Sequence, residues 1–199
     1  MEIVRNMKDR TLLLSQNAYL TKVLERFDMI NSKPVNTLFP QHFKLSSSQS
    51  PTTEEVRSYM SKVPYASGVG CLMYAMICTR PGLAYAISLV SRYMSNPSKI
   101  HWLALKWVLQ YLKWSVGLGL KFQGQDRDTN LVEGFVDADY AWSIDTRKSI
   151  AGFVFTVYGT TVSWRSMLQP VVALSTTEAE YMIVTEGVKE WEQCWVNLD

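Results

Sequence analysis

Two carboxylates follow a short strand-like run in the segment GFVDADYAW, residues 134–142. Asp137 and Asp139 lie on either side of the small residue Ala138. A carboxylate at the end of a strand is held by a rigid sheet, so it can bind a metal ion. Aspartate is also common in turns, where its side chain hydrogen-bonds to nearby backbone groups. These residues alone leave both interpretations open.

A further acid, Glu180, lies near the start of a predicted helix, STTEAEYMIVTEGVKEWEQCWV. Ser175 and Glu178 fit the S-x-x-E capping box, which marks the start of this helix. Helical steps from Glu180 predict that it shares the sheet-facing side of the helix with Val184, Gly187, Val188, Trp191 and Trp195. If the strand end meets the first helical turn, Asp137 and Glu180 converge. Two converging acids share a proton or bind a cation.

The elements that precede this pair are predicted to be a hairpin and several helices. Two short apolar runs around a charged turn predict a hairpin over the first 16 residues, followed by an amphipathic helix. Residues 31–55 contain three prolines and a serine cluster, which predicts a long, exposed and poorly ordered loop. Pro81 and Pro97 separate three further predicted helices, which span residues 66–78, 82–95 and 98–114.

Strands replace helices after residue 116. The runs LVEGFV and PVVAL are predicted strands, and IAGFVFTVYGTTVSW is a predicted hairpin that turns near Gly159. The sequence therefore predicts an α+β chain with two parts. Residues 1–116 form the hairpin-and-helix part, and residues 117–199 form a sheet with one helix.

A row of lysines repeats every seven residues on the third of these helices, at Lys99, Lys106 and Lys113. Such a row could follow the phosphates of a nucleic acid. A lysine stripe is also typical of the solvated side of an amphipathic helix. Trp107 and Trp114 beside the lysines could stack on bases or pack within the protein. The sequence leaves both readings of this face open.

The overall composition is that of a globular chain. It has 199 residues, of which 47% are hydrophobic, enough for one core or two small ones. The formal charge of +2 is small, so any nucleic-acid contact has to come from local patches. The first ten residues are charged from Glu2 onward and lack a signal-peptide core, and the longest apolar run is too short to span a bilayer. We therefore expect an intracellular protein without a membrane span.

Several motifs occur in the order found in one known family. They are VPYASGVGCLMYAMICTRPGLAYAISLVSRYMSNPSKIHW, GFVDADYA, DTRKSIAGFVFT, VSWRS and ALSTTEAEYM. Together they closely resemble the C-terminal part of Pol polyproteins of copia-type LTR retrotransposons. The resemblance implies that residues 1–116 are the C-terminal end of a reverse transcriptase. It also implies that residues 117–199 are the first half of an RNase H-like domain with a mixed sheet and one helix.

The resemblance also implies a chemistry and a partner. In the family, two Mg²⁺ ions support hydrolysis of the RNA strand of an RNA–DNA hybrid. Asp137 matches the family's strand-end metal ligand, and Glu180 matches its helix ligand. Asp139 and Glu178 do not match ligands, so Asp139 is expected to be a turn residue. Asp137 and Glu180 are thus the candidate catalytic and Mg²⁺-binding residues.

Other acids that the family uses are absent from the sequence. The paired polymerase aspartates of a Y-x-D-D motif do not occur, and neither does the D-N-Q-S-like segment with the third RNase H acid. The chain is therefore expected to lack activity alone. Three alternatives stay open: a relic, a nucleic-acid-binding module acting through Lys99, Lys106 and Lys113, or a subunit completed by another chain. An incomplete sheet would also expose an edge through which the chain could self-associate.

Overall fold

The computed structural model describes residues 1–40, 42–124 and 132–196, with side chains of the last helix described up to residue 192. It contains helices and two three-stranded sheets, which confirms the α+β class. The chain divides into two compact units. The first unit comprises Met1–Arg5 and Leu12–Lys121, and the second comprises Asn6–Thr11 and Phe122–Asp199.

The elements follow in chain order. The first seven are β1 (Glu2–Asn6), β2 (Thr11–Ser15), α1 (Asn17–Arg26), α2 (Glu54–Ser61), α3 (Tyr65–Thr79), α4 (Ala84–Val90) and α5 (Lys99–Trp114). The others are β3 (Leu120–Gln123), β4 (Val132–Asp139), β5 (Ile150–Val157), β6 (Thr160–Leu168) and α6 (Thr176–Val196). One sheet has the order β1-β2-β3 and the other has the order β4-β5-β6. Among the described helices, none is long and apolar enough to cross a membrane.

The predicted N-terminal hairpin is confirmed as β1 and β2. Its turn is shaped by Asn6, whose side-chain oxygen accepts hydrogen bonds from the backbone N–H groups of Lys8 and Asp9. Arg10 completes the turn with a positive φ of 49°. An asparagine side chain that bonds to the following backbone is a common way to start such a turn.

The predicted helices form the core of the first unit. Their buried side chains come mainly from α1, α3, α4 and α5, and include Leu20, Leu24, Leu72, Ile87, Leu105 and Leu109. Arg80, between α3 and α4, is buried and donates to the carbonyls of Ser115 (2.5 Å) and Val116 (2.8 Å). These carbonyls at the end of α5 would otherwise lack intrahelical partners. Burial lowers the pKa of the Arg80 guanidinium.

The segment 31–55 is only partly the exposed loop that its composition predicts. It has little regular structure among its described residues, but Phe43 and Leu45 are buried in the core of the first unit. The Trp107 indole N–H donates to the Thr37 carbonyl at 2.8 Å, so α5 holds this segment in place. Proline and serine content does not indicate such contacts, and the prediction of an exposed segment is wrong at these two side chains.

The second sheet is antiparallel along both of its strand pairs, whereas a mixed sheet was expected. The hairpin predicted near Gly159 is confirmed, because Tyr158 and Gly159 adopt φ values of 48° and 73° between β5 and β6. The strand predicted at residues 170–174 is wrong. Pro170 has no N–H for a ladder, and the Leu174 N–H instead donates to the Glu178 carboxylate at 2.6 Å.

Candidate functional site

Asp137 lies near the end of β4 on an exposed surface. It pairs with Gly152 of β5. The side chains of its neighbours Val136 and Ala138 both point toward α6. A Cβ placed on Gly187 of α6 would lie 2.8 Å from the Val136 Cγ1 atom. Because successive side chains of a strand point to opposite faces, Asp137 points away from the face that α6 covers.

Asp139 is the last residue of β4 and not part of the turn that was expected to contain it. It pairs with Ile150 and lies on the same face of the strand as Asp137. The turn begins at Tyr140, and Ala141 has a positive φ of 50°. The strand thus presents two exposed carboxylates on one face at its end.

Glu180 lies in the first turns of α6, and the predicted sheet-facing side of this helix is only partly confirmed: Gly187 is buried, but Glu180 is exposed. The buried side consists of Ala179, Ile183 and Gly187, whereas Glu180 is exposed. Val184 and Val188 on its side are 45% and 53% exposed. Trp191 is half-buried, and the side chain of Trp195 lies outside the described residues.

The physical reason is the size of the residues along the buried side of α6. Ala179 and Gly187 are small, so the helix axis can approach the sheet closely along this side. The Val136 side chain of β4 occupies the space beside Gly187, where a Cβ would lie 2.8 Å from its Cγ1 atom. The branched Val184 and Val188 would hold the helix farther away. The pattern of apolar residues gave no way to choose between these two adjacent sides.

Local hydrogen bonds hold the start of α6. They include one of the two hydrogen bonds that the capping box predicts. The Ser175 hydroxyl accepts from the Glu178 N–H at 3.1 Å, but the Glu178 carboxylate accepts from Leu174 and not from the cap itself. Gln169, at the end of β6, donates from its buried side-chain amide to the Ala179 carbonyl at 2.7 Å. Sequence reasoning missed Gln169, which fixes the turn that carries Glu180.

Asp137 and Glu180 are the candidate ligands of a Mg²⁺ site. Carboxylate oxygens are the ligands that Mg²⁺ prefers, so the donor chemistry is suitable. However, no group of three or more His, Cys, Asp or Glu side chains in the described part of the chain is placed to hold a metal ion. Glu180 borders a shallow depression lined by α6 residues, among them Tyr181 and Val184, and Asp137 does not line it. The described residues therefore do not form a complete Mg²⁺ site.

The three lysines of α5 all have intramolecular contacts. Their ammonium groups contact the Tyr59 ring (Lys99, 4.9 Å), the Trp102 ring (Lys106, 5.5 Å) and the Ser32 carbonyl (Lys113, 2.6 Å). An ammonium group has three N–H donors, so none of these contacts exhausts its capacity to bind an anion. Trp107 packs against the protein, whereas Trp114 is 54% exposed.

Charge is divided unequally between the two units. The first unit contains 13 Lys and Arg against 5 Asp and Glu, a formal charge of +8. The second contains 7 Lys and Arg against 13 Asp and Glu, a formal charge of −6. The net charge of +2 hides this division. Counting charges separately along the sequence would have revealed it.

Comparison with known proteins places the chain in a family. It is 53% identical over 190 residues to the retrovirus-related Pol polyprotein from transposon TNT 1-94 of Nicotiana tabacum, which covers 96% of the chain and 14% of the relative. The corresponding protein from transposon RE2 of Arabidopsis thaliana is 34% identical over 185 residues, covering 93% of the chain and 12% of the relative. The secreted RxLR effector protein 161 of Plasmopara viticola is 45% identical over 131 residues, covering 66% of the chain and 91% of that protein.

Two of these relatives are retrovirus-related Pol polyproteins of transposons. The chain belongs to the Pol polyproteins of copia-type retrotransposons. No family model matches it, and no solved structure matches it either. The chain spans only 14% and 12% of the length of these two Pol relatives.

Proposed function

We propose that this chain is a segment of a Pol polyprotein that takes part in hydrolysis of the RNA strand of RNA–DNA hybrids during reverse transcription, and that it does not cleave hybrids alone. In this proposal Asp137 and Glu180 supply two of the acidic Mg²⁺ ligands of an RNase H-type site. The remaining ligands come from polypeptide outside these 199 residues.

The relationship to Pol polyproteins and the motif positions of the two acids support this proposal, although the two acids lie on different faces in this structure. Asp137 lies at the end of an antiparallel sheet, and Glu180 lies at the start of the helix that packs on that sheet. Both side chains are exposed, so further polypeptide can reach them. A pair of metal ions needs bridging and terminal ligands together, and two exposed acids on different faces do not provide these.

The experiment uses a longer Pol segment that contains this sequence. We expect it to cleave a labelled hybrid with Mg²⁺, and expect Asp137→Asn and Glu180→Gln each to reduce the rate by more than about a hundredfold. Loss of a residue that only supports a metal ligand already costs about 10- to 100-fold.

Asp139→Asn and Glu178→Gln are the matched controls, because each removes one neighbouring carboxylate in the same way. We expect rates within about threefold of the parent, since surface changes of this kind are small. Equal losses in all four variants would contradict the assignment of Asp137 and Glu180. Activity gained on mixing this chain with a separate Pol segment would support completion by a second chain.

A second candidate function is nucleic-acid binding without catalysis, and the charge of the first unit favours it. A formal charge of +8 on one compact unit attracts phosphates, whereas the −6 of the other repels them. Lys99, Lys106 and Lys113 are the candidate phosphate contacts, and exposed Trp114 is a candidate stacking surface. Such binding would accompany the proposed role in hybrid hydrolysis and would persist without it.

A further inference from the structure

Arg80 is a buried cation in the core of the first unit. Only 6% of its surface is exposed, and an arginine side chain stays charged in proteins. Its guanidinium has five N–H donors, two of which donate to the Ser115 and Val116 carbonyls. The buried Nε–H has no hydrogen-bond partner within the described part of the chain. A buried charge is ordinarily paired with an opposite charge, so two neutral carbonyls compensate Arg80 only in part.

A pocket of about 250 Å³ lies beside Arg80. It is lined by residues from the α3–α4 connection, the end of α5 and the start of β3, among them Arg80, Gly82, Tyr111 and Ser115. All of its described lining residues belong to the first unit, and none of them is acidic. Tyr111 also interacts electrostatically with the Arg80 guanidinium. The pocket therefore offers positive charge and hydrogen-bond donors to a ligand.

We propose that this pocket binds a small tetrahedral oxyanion, either free phosphate or the phosphate group of a nucleotide, against the Arg80 guanidinium. The planar guanidinium presents its donors in a fixed fork that matches phosphate oxygens. Hydrogen bonds of this kind, between ionised partners, are about twice as strong as those between neutral groups. The pocket is smaller than the roughly 300 Å³ or more that a drug-sized ligand requires. A bound phosphate supplies the negative charge that Arg80 lacks.

The charge of the first unit favours an anion over a neutral ligand. Its formal charge of +8 raises the concentration of anions near its surface. The proposal is independent of hybrid hydrolysis, because the pocket contains neither Asp137 nor Glu180. It is also separate from the lysine row of α5, since none of those lysines lines the pocket.

The test measures binding of inorganic phosphate to the full chain, at an ionic strength held constant with sodium chloride. We expect phosphate to raise the melting temperature of the first unit saturably, by about 5 °C or more at about 100 times its Kd. In ¹H–¹⁵N NMR spectra, the Arg80 Nε–H signal should shift over the same range of concentrations. A 5′-phosphorylated dinucleotide is the second probe. Its competition with phosphate would identify a nucleotide phosphate as the ligand, and phosphate binding without competition would identify the free anion.

Gly82 allows a side chain to replace the proposed anion. A Cβ at Gly82 would meet nothing within 4 Å, so Gly82→Asp has room to place a carboxylate in the pocket. We expect this variant to melt at a higher temperature without phosphate. We also expect it to bind phosphate more than about tenfold more weakly, because two anions in one pocket repel each other.

Gly70→Asp is the matched control for Gly82→Asp. It makes the same change of charge in the first unit, and a Cβ at Gly70 would also meet nothing within 4 Å. Gly70 does not line the pocket, so its substitution should leave phosphate binding unchanged. Circular dichroism checks that both variants are folded.

Three results would overturn the proposal. In the first, phosphate stabilises the chain no more than sodium chloride of equal ionic strength. In the second, the Arg80 Nε–H signal does not move as phosphate is added. In the third, Gly82→Asp leaves the phosphate response intact, or Gly70→Asp reduces it as strongly.

Discussion

At the scale of single residues, the burial of Tyr65 makes the stability of the fold depend on pH. Its hydroxyl donates a 2.7 Å hydrogen bond to the Val90 carbonyl inside the first core. Burial is the main cause that raises the pKa of Tyr65 above its ordinary value of 10.0, and Tyr93 adds to it. An unfolded tyrosine ionises near pH 10, so above this pH the unfolded state loses a proton that folded Tyr65 keeps. The stability that Tyr65 contributes is therefore complete below about pH 10 and is lost as the pH rises further.

We predict that Tyr65→Phe lowers the free energy of unfolding at neutral pH by about 1–2 kcal/mol, because the Val90 carbonyl loses its donor. It should also make the loss of stability above about pH 10 less steep. Part of that loss should remain, since burial raises the pKa of Tyr19 to about 12. Urea unfolding at a series of pH values measures both effects. The exposed Tyr59→Phe is the control, and equal alkaline slopes for Tyr65→Phe and the unmodified chain would disprove the prediction.

The identity of the candidate acids could be predicted from the sequence, but their orientation could not. Asp137 and Glu180 stand out through their motifs and through their positions at a strand end and a helix start. The direction of the Glu180 side chain depends on which side of α6 approaches the sheet. The small residues Ala179 and Gly187 decide this by close packing, which a count of apolar residues does not measure.

At the scale of elements, the packing of α6 and the second sheet depends on a glycine in the edge strand. A Cβ on Gly134 would collide with the Phe155 ring, whose Cδ1 atom would lie only 2.8 Å away. The ring occupies the space that a side chain at this position would take. This arrangement keeps Phe155 buried beside β4.

We predict that Gly134→Ala destabilises the second unit by about 1–3 kcal/mol, the usual cost of overpacking a core. Gly70 in α3 is the matched control, because a Cβ there would meet nothing within 4 Å. Gly70→Ala should stabilise the protein by about 1 kcal/mol through helix propensity. Thermal unfolding of the two variants compares them directly. A neutral or stabilising Gly134→Ala would contradict the packing described for Phe155.

Elements with local signals were predictable, and elements fixed by distant contacts were not. The turn at Gly159 and the start of α6 follow from a glycine and a capping serine within a few residues. The apolar run at residues 170–174 has the composition of a strand but no partner strand in the described sheet. The burial of Phe43 depends on contacts with helices far along the chain. No local pattern records such contacts.

At the scale of the whole molecule, the division of charge is the property most relevant to nucleic acids. The first unit carries +8 and the second −6, so a nucleic acid should bind the first unit. Counting the charges on either side of the predicted boundary at residue 116 would have shown this division from the sequence. The sequence analysis predicted that the whole surface has no strong electrostatic field. This holds for the net charge of the chain, but it did not anticipate the opposite charges of the two units.

The central claim is that this chain engages RNA–DNA hybrids but does not cleave them alone. The measurement that tests it most directly follows binding and cleavage of one labelled hybrid by the purified chain with Mg²⁺, over a range of salt concentrations. We predict salt-sensitive binding, with Lys99→Gln combined with Lys106→Gln reducing the slope of log K against log salt by about 2. Arg147→Gln combined with Arg165→Gln, the matched pair in the acidic unit, should leave the slope unchanged. No cleavage above background is predicted in any sample. Cleavage by the purified chain that disappears with Asp137→Asn or Glu180→Gln would contradict this account.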